Sequence, residues 1–145
     1  MTLQDLNSPH GGTLKELSVV PQRRRSHAVH WELTPRQYAD LEMIAIGAYS
    51  PLETFMGKSN YFSVIESMHL IDGTLWPIPI VFQFRSEQIE PSAKYLELTH
   101  DLEQVATLEI GEIFKLDLEL EASRIYGTTS EDHPGVKLLY SGGDG

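Results

Sequence analysis

Apolar positions recur at helical spacing in the first half of the chain and alternate or cluster in the second. The first clear helix begins at Thr34, a good N-cap followed by Pro35 at the first helical position. Gln37 completes a Thr-x-x-Gln capping box, and Leu33 just before the cap can staple onto Tyr38. Tyr38, Leu41, Ile44 and Ala45 continue the apolar stripe to a stop at Gly47, and Ser50-Pro51 then forces a turn or extended segment. A second helix is expected after Lys58, capped by Ser59, with Tyr61, Val64, Ile65 and Met68 on one face and Asp72-Gly73 as its end.

From Leu75 the pattern changes. Trp76 to Phe84 reads as a strand whose two prolines demote its start to an edge or irregular strand, with Ile78, Ile80, Phe82 and Phe84 on one face. Gln83 and Arg85 then fall on the opposite, solvent-facing side. Tyr95 to Leu98 and Val105 to Leu116 supply two more strands, joined by a turn at Asp101 to Glu103 and bent at Gly111. Leu118 to Tyr126 fits a short helix stopped at Gly127. His133-Pro134-Gly135 reads as a turn, and Val136 to Tyr140 as a last strand. Residues 1–30 read as loop, with a short strand or helical turn over Leu14, Leu17, Val19 and Val20 before Pro21. The sum is an α+β domain, helices mainly in the first half and strands in the second, with helices packed on a small mixed or antiparallel barrel-like sheet. A single domain over 1–145 is expected, with residues 1–8 and 141–145 as flexible ends.

Composition narrows the function. The 145 residues carry a net charge of −10 and no cysteine. Disulfides, thiolate metal sites and cysteine nucleophiles are excluded, and the excess negative charge disfavours a nucleic-acid partner. The acidity concentrates in the second half, and Arg23-Arg24-Arg25 is the one basic run, too short for a nucleic-acid patch. No apolar run is long enough for a membrane span, and Met1 to Pro9 lacks the character of a secretory signal, so a cytoplasmic setting is expected.

Candidate chemistry is sparse. His27-Ala-Val-His30 has metal-ligand spacing on a helix, but it precedes the helix cap and has no companion glutamate or cysteine. Glu97, Asp101, Glu103, Glu109, Glu112, Asp117, Glu119 and Glu121 form an acidic stretch that reads as a solvated face. His133 beside Asp132 reads as a turn residue. His10-Gly11-Gly12 is short of a phosphate loop. No catalytic set, metal site or cofactor is expected.

One ordered series of residues is distinctive. It runs Leu33-Thr34-Pro35-Arg36-Gln37, Asp40-Leu41-Glu42, Gly47-Ala48-Tyr49-Ser50-Pro51-Leu52, Phe55-Met56, and Asp72-Gly73-Thr74-Leu75-Trp76-Pro77-Ile78-Pro79-Ile80. Pro9-His10-Gly11-Gly12 with Leu14 precedes it, and Tyr126-Gly127-Thr128-Thr129 and His133-Pro134-Gly135-Val136 follow. The series resembles the N-terminal PUA-like domain of the ATP sulfurylase (sulfate adenylyltransferase) family, over about residues 8–140. The resemblance implies a PUA-like pseudobarrel and a link to sulfate activation.

The family's chemistry resides in a following domain with Q-x-R-N-P, H-x-x-H and G-R-D-H-A-G motifs. Here Gln83-Phe84-Arg85 is followed by Ser86-Glu87, no Arg-Asn pair occurs, and His27-Ala-Val-His30 precedes the first helix. The resemblance therefore implies a noncatalytic accessory or stand-alone domain. Its partner would be a separate ATP-sulfurylase catalytic chain or another copy of itself. The alternative is a free-standing PUA-like ligand- or RNA-binding module. Partner contact is expected at His10, Gly11, Gly12, Ser50, Pro51, Phe55 and Met56, in two loop segments that carry family-like residues.

Overall fold

A computed structural model describes residues 9–15 and 28–145. Strand β1 (Ala28–Glu32) leads into helix α1 (Pro35–Ala45). The capping box forms as the sequence predicts. Thr34 Oγ1 accepts from Gln37 N at 3.2 Å, and Gln37 Oε1 accepts from Thr34 N at 3.0 Å. Such a cap stabilises a helix by about 1 kcal/mol. Leu33 and Tyr38 meet in one apolar cluster, as the staple requires.

Helix α2 (Lys58–Ser67) starts one residue before the expected cap, and Gly57 takes that place. The cause lies far away in sequence. Glu112 Oε1 accepts from Lys58 N at 2.7 Å, so a carboxylate from the second half of the chain serves the helix N-terminus. Met68, in the left-handed region, closes the helix.

The sheet has three strands in the order β1-β2-β3. Strand β2 (Tyr95–His100) pairs parallel with β1 and antiparallel with β3 (Glu103–Glu109). The turn between β2 and β3 uses Asp101 and Leu102, both at positive φ, which suits the twist of a tight hairpin. Parallel pairing of β1 with β2 requires a long crossover, and α1 and α2 occupy it. Strand β1 was not anticipated, because its register is set by β2 more than sixty residues away.

Three expected strands are corrected. Residues 76–84 join no ladder and bend at Ile78, since Pro77 and Pro79 have no amide to donate. The segment is tied instead by Met56 N donating to Ile80 O at 2.8 Å and by a mutual pair between Phe84 and Gly145 at 3.0 Å. Its alternation is partial: Ile80 and Phe84 are buried, Phe82 is half-buried and Ile78 is exposed. The β3 ladder ends at Glu109, short of Leu116. Val136 to Tyr140 is helical, within α4 (Pro134–Ser141). His133 caps α4 with Nδ1 accepting from Gly135 N at 3.1 Å, and Pro134 opens it. Val136 and Leu139 supply its buried face at helical spacing.

The expected helix at Leu118 is present as α3 (Leu118–Glu121), continued by one π-helical stretch (Ala122–Tyr126) and closed by Gly127 at positive φ. Residues 141–145, expected as a flexible end, fold back on the body. Leu116 N donates to Asp144 O at 2.9 Å, and Asp144 Oδ1 accepts from Ser86 Oγ at 2.8 Å. Gly143 sits at φ +112 with the Phe84 carbonyl so close that a Cβ would lie 2.1 Å from its oxygen. Of the proposed Leu14–Val20 element, Leu14 is exposed outside any element, and 16–20 lies outside the described residues.

The largest buried cluster joins α1, α2 and the 52–56 and 70–80 segments through Ile44, Leu52, Phe55, Met56, Val64 and Trp76. A second lies under the sheet, around Leu33, Phe84, Leu96 and Leu98. The layers are helices on a small mixed sheet, an α+β arrangement.

Candidate functional site

The two loop segments singled out in the sequence meet each other. The Pro9–Lys15 segment lies against 47–53 and 75–76. Lys15 N donates to Ser50 Oγ at 2.8 Å, and that hydroxyl donates to Gly47 O at 2.6 Å. His10 bonds the Leu75 carbonyl through Nε2, and its ring lies 5.9 Å from that of Trp76. Gly11 stands at φ +72 with Pro51 so near that a Cβ would lie 2.9 Å from its ring carbons, so only glycine fits. Lys15 Nζ reaches Glu53 Oε1 at 2.6 Å. His10, Gly11 and Gly12 therefore form an exposed knuckle seated on the half-buried Pro51 and the buried Ser50.

Phe55 and Met56 are not part of that surface. They are 8% and 5% exposed and sit in the largest core cluster. The reason is the Met56 N to Ile80 O bond, which turns this loop inward. Apolar exposure lies beside the knuckle instead, at Met68, Ile71, Leu75 and Ile78. Sequence reading could have found these: Ile71 and Leu75 flank the Asp72-Gly73 turn, where no helix or ladder buries them.

A cavity of about 470 Å³ opens on another face. Phe55 and Met56 form part of its wall, with Val81, Phe82 and Phe84 on one side and residues 108–116 on the other. Its side chains are mainly apolar, and Glu112 at its rim is engaged with the α2 N-terminus.

Glu121, expected on a solvated acidic face, is instead buried and paired with Tyr61. Tyr61 is fully buried, and its hydroxyl donates to Glu121 Oε2 at 2.9 Å and accepts from Asp117 N at 3.1 Å. Burial pushes the Glu121 carboxyl above its ordinary range, while the Tyr61 hydrogen bond and the charge of Arg36 pull it partway back. Burial, then the Glu121 charge, also raises the Tyr61 hydroxyl. The available signal was Glu121 next to Ala122, a position turned inward by the helix Leu118 to Tyr126.

The remaining acidic residues are dispersed. Asp117 caps α3 through Leu120 N at 3.0 Å, and Glu112 serves α2. Gln83 is corrected from solvent-facing to inward. Its Nε2 donates to Leu139 O at 2.9 Å and Gly143 O at 2.6 Å, while its carbonyl accepts from Gln37 Nε2 at 2.9 Å. His30 stands on β1, with its Nε2 3.4 Å from Thr99 Oγ1. His27 and Arg23 to Arg25 lie outside the described residues. Among the described residues, no group of three or more His, Asp or Glu side chains is placed to hold a metal ion. None of the described helices is long and apolar enough to cross a membrane.

The model of the PUA-like domain family matches residues 7–145. The chain belongs to the PUA-like domain family. This PUA-like domain is 44% identical over 140 residues to the sulfate adenylyltransferase of Chloroflexus aurantiacus, a match covering 96% of this chain and 37% of that one. It is 48% identical over 113 residues to the sulfate adenylyltransferase of Deinococcus radiodurans, covering 78% of this chain and 29% of that one. Among solved structures it resembles a chain of the hexameric APS kinase from Thiobacillus denitrificans, with a TM-score of 0.64 and 30% identity over 77% of this chain and 24% of that one. The PUA-like domain thus spans about a third of the length of the sulfate adenylyltransferases it matches, and it corresponds to their N-terminal domain.

Proposed function

We propose that this PUA-like domain is a noncatalytic accessory part of cytoplasmic sulfate activation, and that it docks on a catalytic polypeptide of the sulfate adenylyltransferase kind. The observation that carries this reading is the extent of the likeness: 96% of this chain aligns at 44% identity with 37% of such an enzyme. The sequence supports it. Adenylyl transfer needs cations and oriented donors around a phosphoryl centre, and the family's motifs for that work do not occur here in context. The knuckle of His10–Gly12 on Ser50-Pro51, with exposed Met68, Ile71, Leu75 and Ile78 beside it, is a surface suited to such contact.

The test is the mass and composition of the native assembly that holds this chain in its cells. The expected result is polypeptide carrying Q-x-R-N-P and H-x-x-H in the same assembly. The chain alone, only self-associated, or bound to RNA would overturn the reading. The purified chain is also expected to form no ATP from adenylyl sulfate and pyrophosphate, and turnover by it would equally overturn the noncatalytic assignment.

A further inference from the structure

The cavity between residues 81–84 and 108–116 has an unusual wall. Val81 and Phe82 belong to no helix or strand, and their backbone groups make no hydrogen bond to any described residue. The same holds for the backbone of residues 111–115 on the opposite side. Two such segments thus line one apolar space, their amides and carbonyls without a hydrogen-bond partner among the described residues. Small-molecule pockets instead gather a few convergent polar side chains. Here the polar side chains are Thr54, Glu109 and Glu112, and Glu112 is spent on Lys58 N at 2.7 Å. What the wall offers is main-chain pairing plus apolar seats for alternate side chains, which is how a sheet edge takes up an added strand.

Gly145 sets the direction. Phe84 N donates to Gly145 O and Gly145 N donates to Phe84 O, both at 3.0 Å. Such a mutual exchange is the hydrogen-bonded pair of an antiparallel ladder. Gly145 also lines the cavity. A strand in line with Gly145 would run antiparallel to Phe84, Gln83, Phe82 and Val81, and would lie in the space between them and residues 111–115.

We propose that this cavity is a slot for one extended, apolar strand belonging to the catalytic polypeptide on which the domain docks. The inference rests on the function proposed above. The matched sulfate adenylyltransferases have nearly two-thirds of their length outside the match, which is ample chain to supply such a strand.

Hydrogen exchange read by mass spectrometry tests it, comparing the purified 145-residue chain with the native assembly recovered from cells. The amides of 81–83 and 111–115 are expected to exchange quickly in the free chain and at least 10-fold more slowly in the assembly. Ile113 is 40% exposed and lines the slot, so Ile113→Asp leaves the fold intact by circular dichroism and is expected to weaken assembly at least 10-fold. An assembly that contains the catalytic polypeptide but leaves both sets of amides exchanging quickly overturns the slot while sparing the proposed function. No catalytic polypeptide in the assembly overturns the proposed function itself. Protection that grows with concentration of the pure chain overturns the assigned occupant, since a second copy then fills the slot.

Discussion

Replacing Tyr61 by Phe removes one oxygen from a fully buried ring and little else. That oxygen is the hydrogen-bond partner of the Glu121 carboxylate, a residue only 3% exposed. A hydrogen bond to a charged group contributes about 1.5–3 kcal/mol. The Asp117 amide, which donates to the same hydroxyl at 3.1 Å, loses its acceptor as well. Together these give a loss of about 2–3 kcal/mol near neutral pH. For a domain of this size that lowers Tm by about 6–10 °C.

The loss must depend on pH. Glu121 has a folded-state pKa raised by burial, so its ionisation works against the fold. Below the ordinary carboxylate range the group is protonated in both folded and unfolded chains and has no effect. As pH rises through that range toward the raised value, the unfolded chain releases the proton first and the fold loses stability. The Tyr61 hydroxyl limits this loss by stabilising the ionised form. Tyr61→Phe is therefore expected to cost about 2–3 kcal/mol at about pH 7 and about 1 kcal/mol at about pH 4. Urea unfolding followed by circular dichroism at both pH values measures it. In a Glu121→Gln background the pH dependence should vanish. Equal costs at the two pH values, or a cost under about 0.5 kcal/mol at neutrality, would refute the reasoning.

Three other outcomes are expected. Gln37→Ala strips partners from Trp31 Nε1, Thr34 N and Gln83 O at once, and should destabilise the chain by about 2–4 kcal/mol in the same unfolding assay. Gly143→Ala drives a methyl into the Phe84 carbonyl at a positive φ, and should speed hydrogen exchange across 141–145 while leaving α1 and α2 unchanged. The Ser86 hydrogen bonds hold the Asp144 carboxyl below its ordinary range, so Ser86→Ala should move its NMR titration midpoint upward; an unmoved midpoint would mean that the bond is absent in solution.

Local signals were legible where a residue and its partner lie within one turn. The Thr34–Gln37 box, the Gly127 stop and the Asp101-Leu102 turn all emerge as read, because caps and turns are decided by neighbours. Elements decided at long range were not. Trp76 to Phe84 has the composition of a strand, yet its prolines and its role as a connector keep it out of the ladder. Val136 to Tyr140 has β-formers, but the His133-Pro134 start commits it to a helix. For the site, resemblance drew attention to both loop segments, and their meeting at Gly11 and Pro51 appears only in three dimensions. Phe55 and Met56 show the reverse: large apolar residues in a loop that one backbone bond to Ile80 folds into the core.

The segment misread most, 76–84, is also the one on which the rest of the fold converges. Met56 N, the Gln37 side chain and Gly145 each bond to its backbone, and the Gln83 side chain holds the end of α4 and Gly143. Phe82 and Phe84 meanwhile pack edge-on against Trp31 of β1. A strand inside a ladder would spend its backbone on two neighbours at regular intervals. Freed from the ladder, this segment ties α1, the 52–56 loop, the sheet and the 141–145 stretch to one another. It also leaves Val81 and Phe82, beside an apolar cavity, with backbone groups that have no partner among the described residues. The same irregularity that defeats the alternation pattern thus both organises the core and creates the slot.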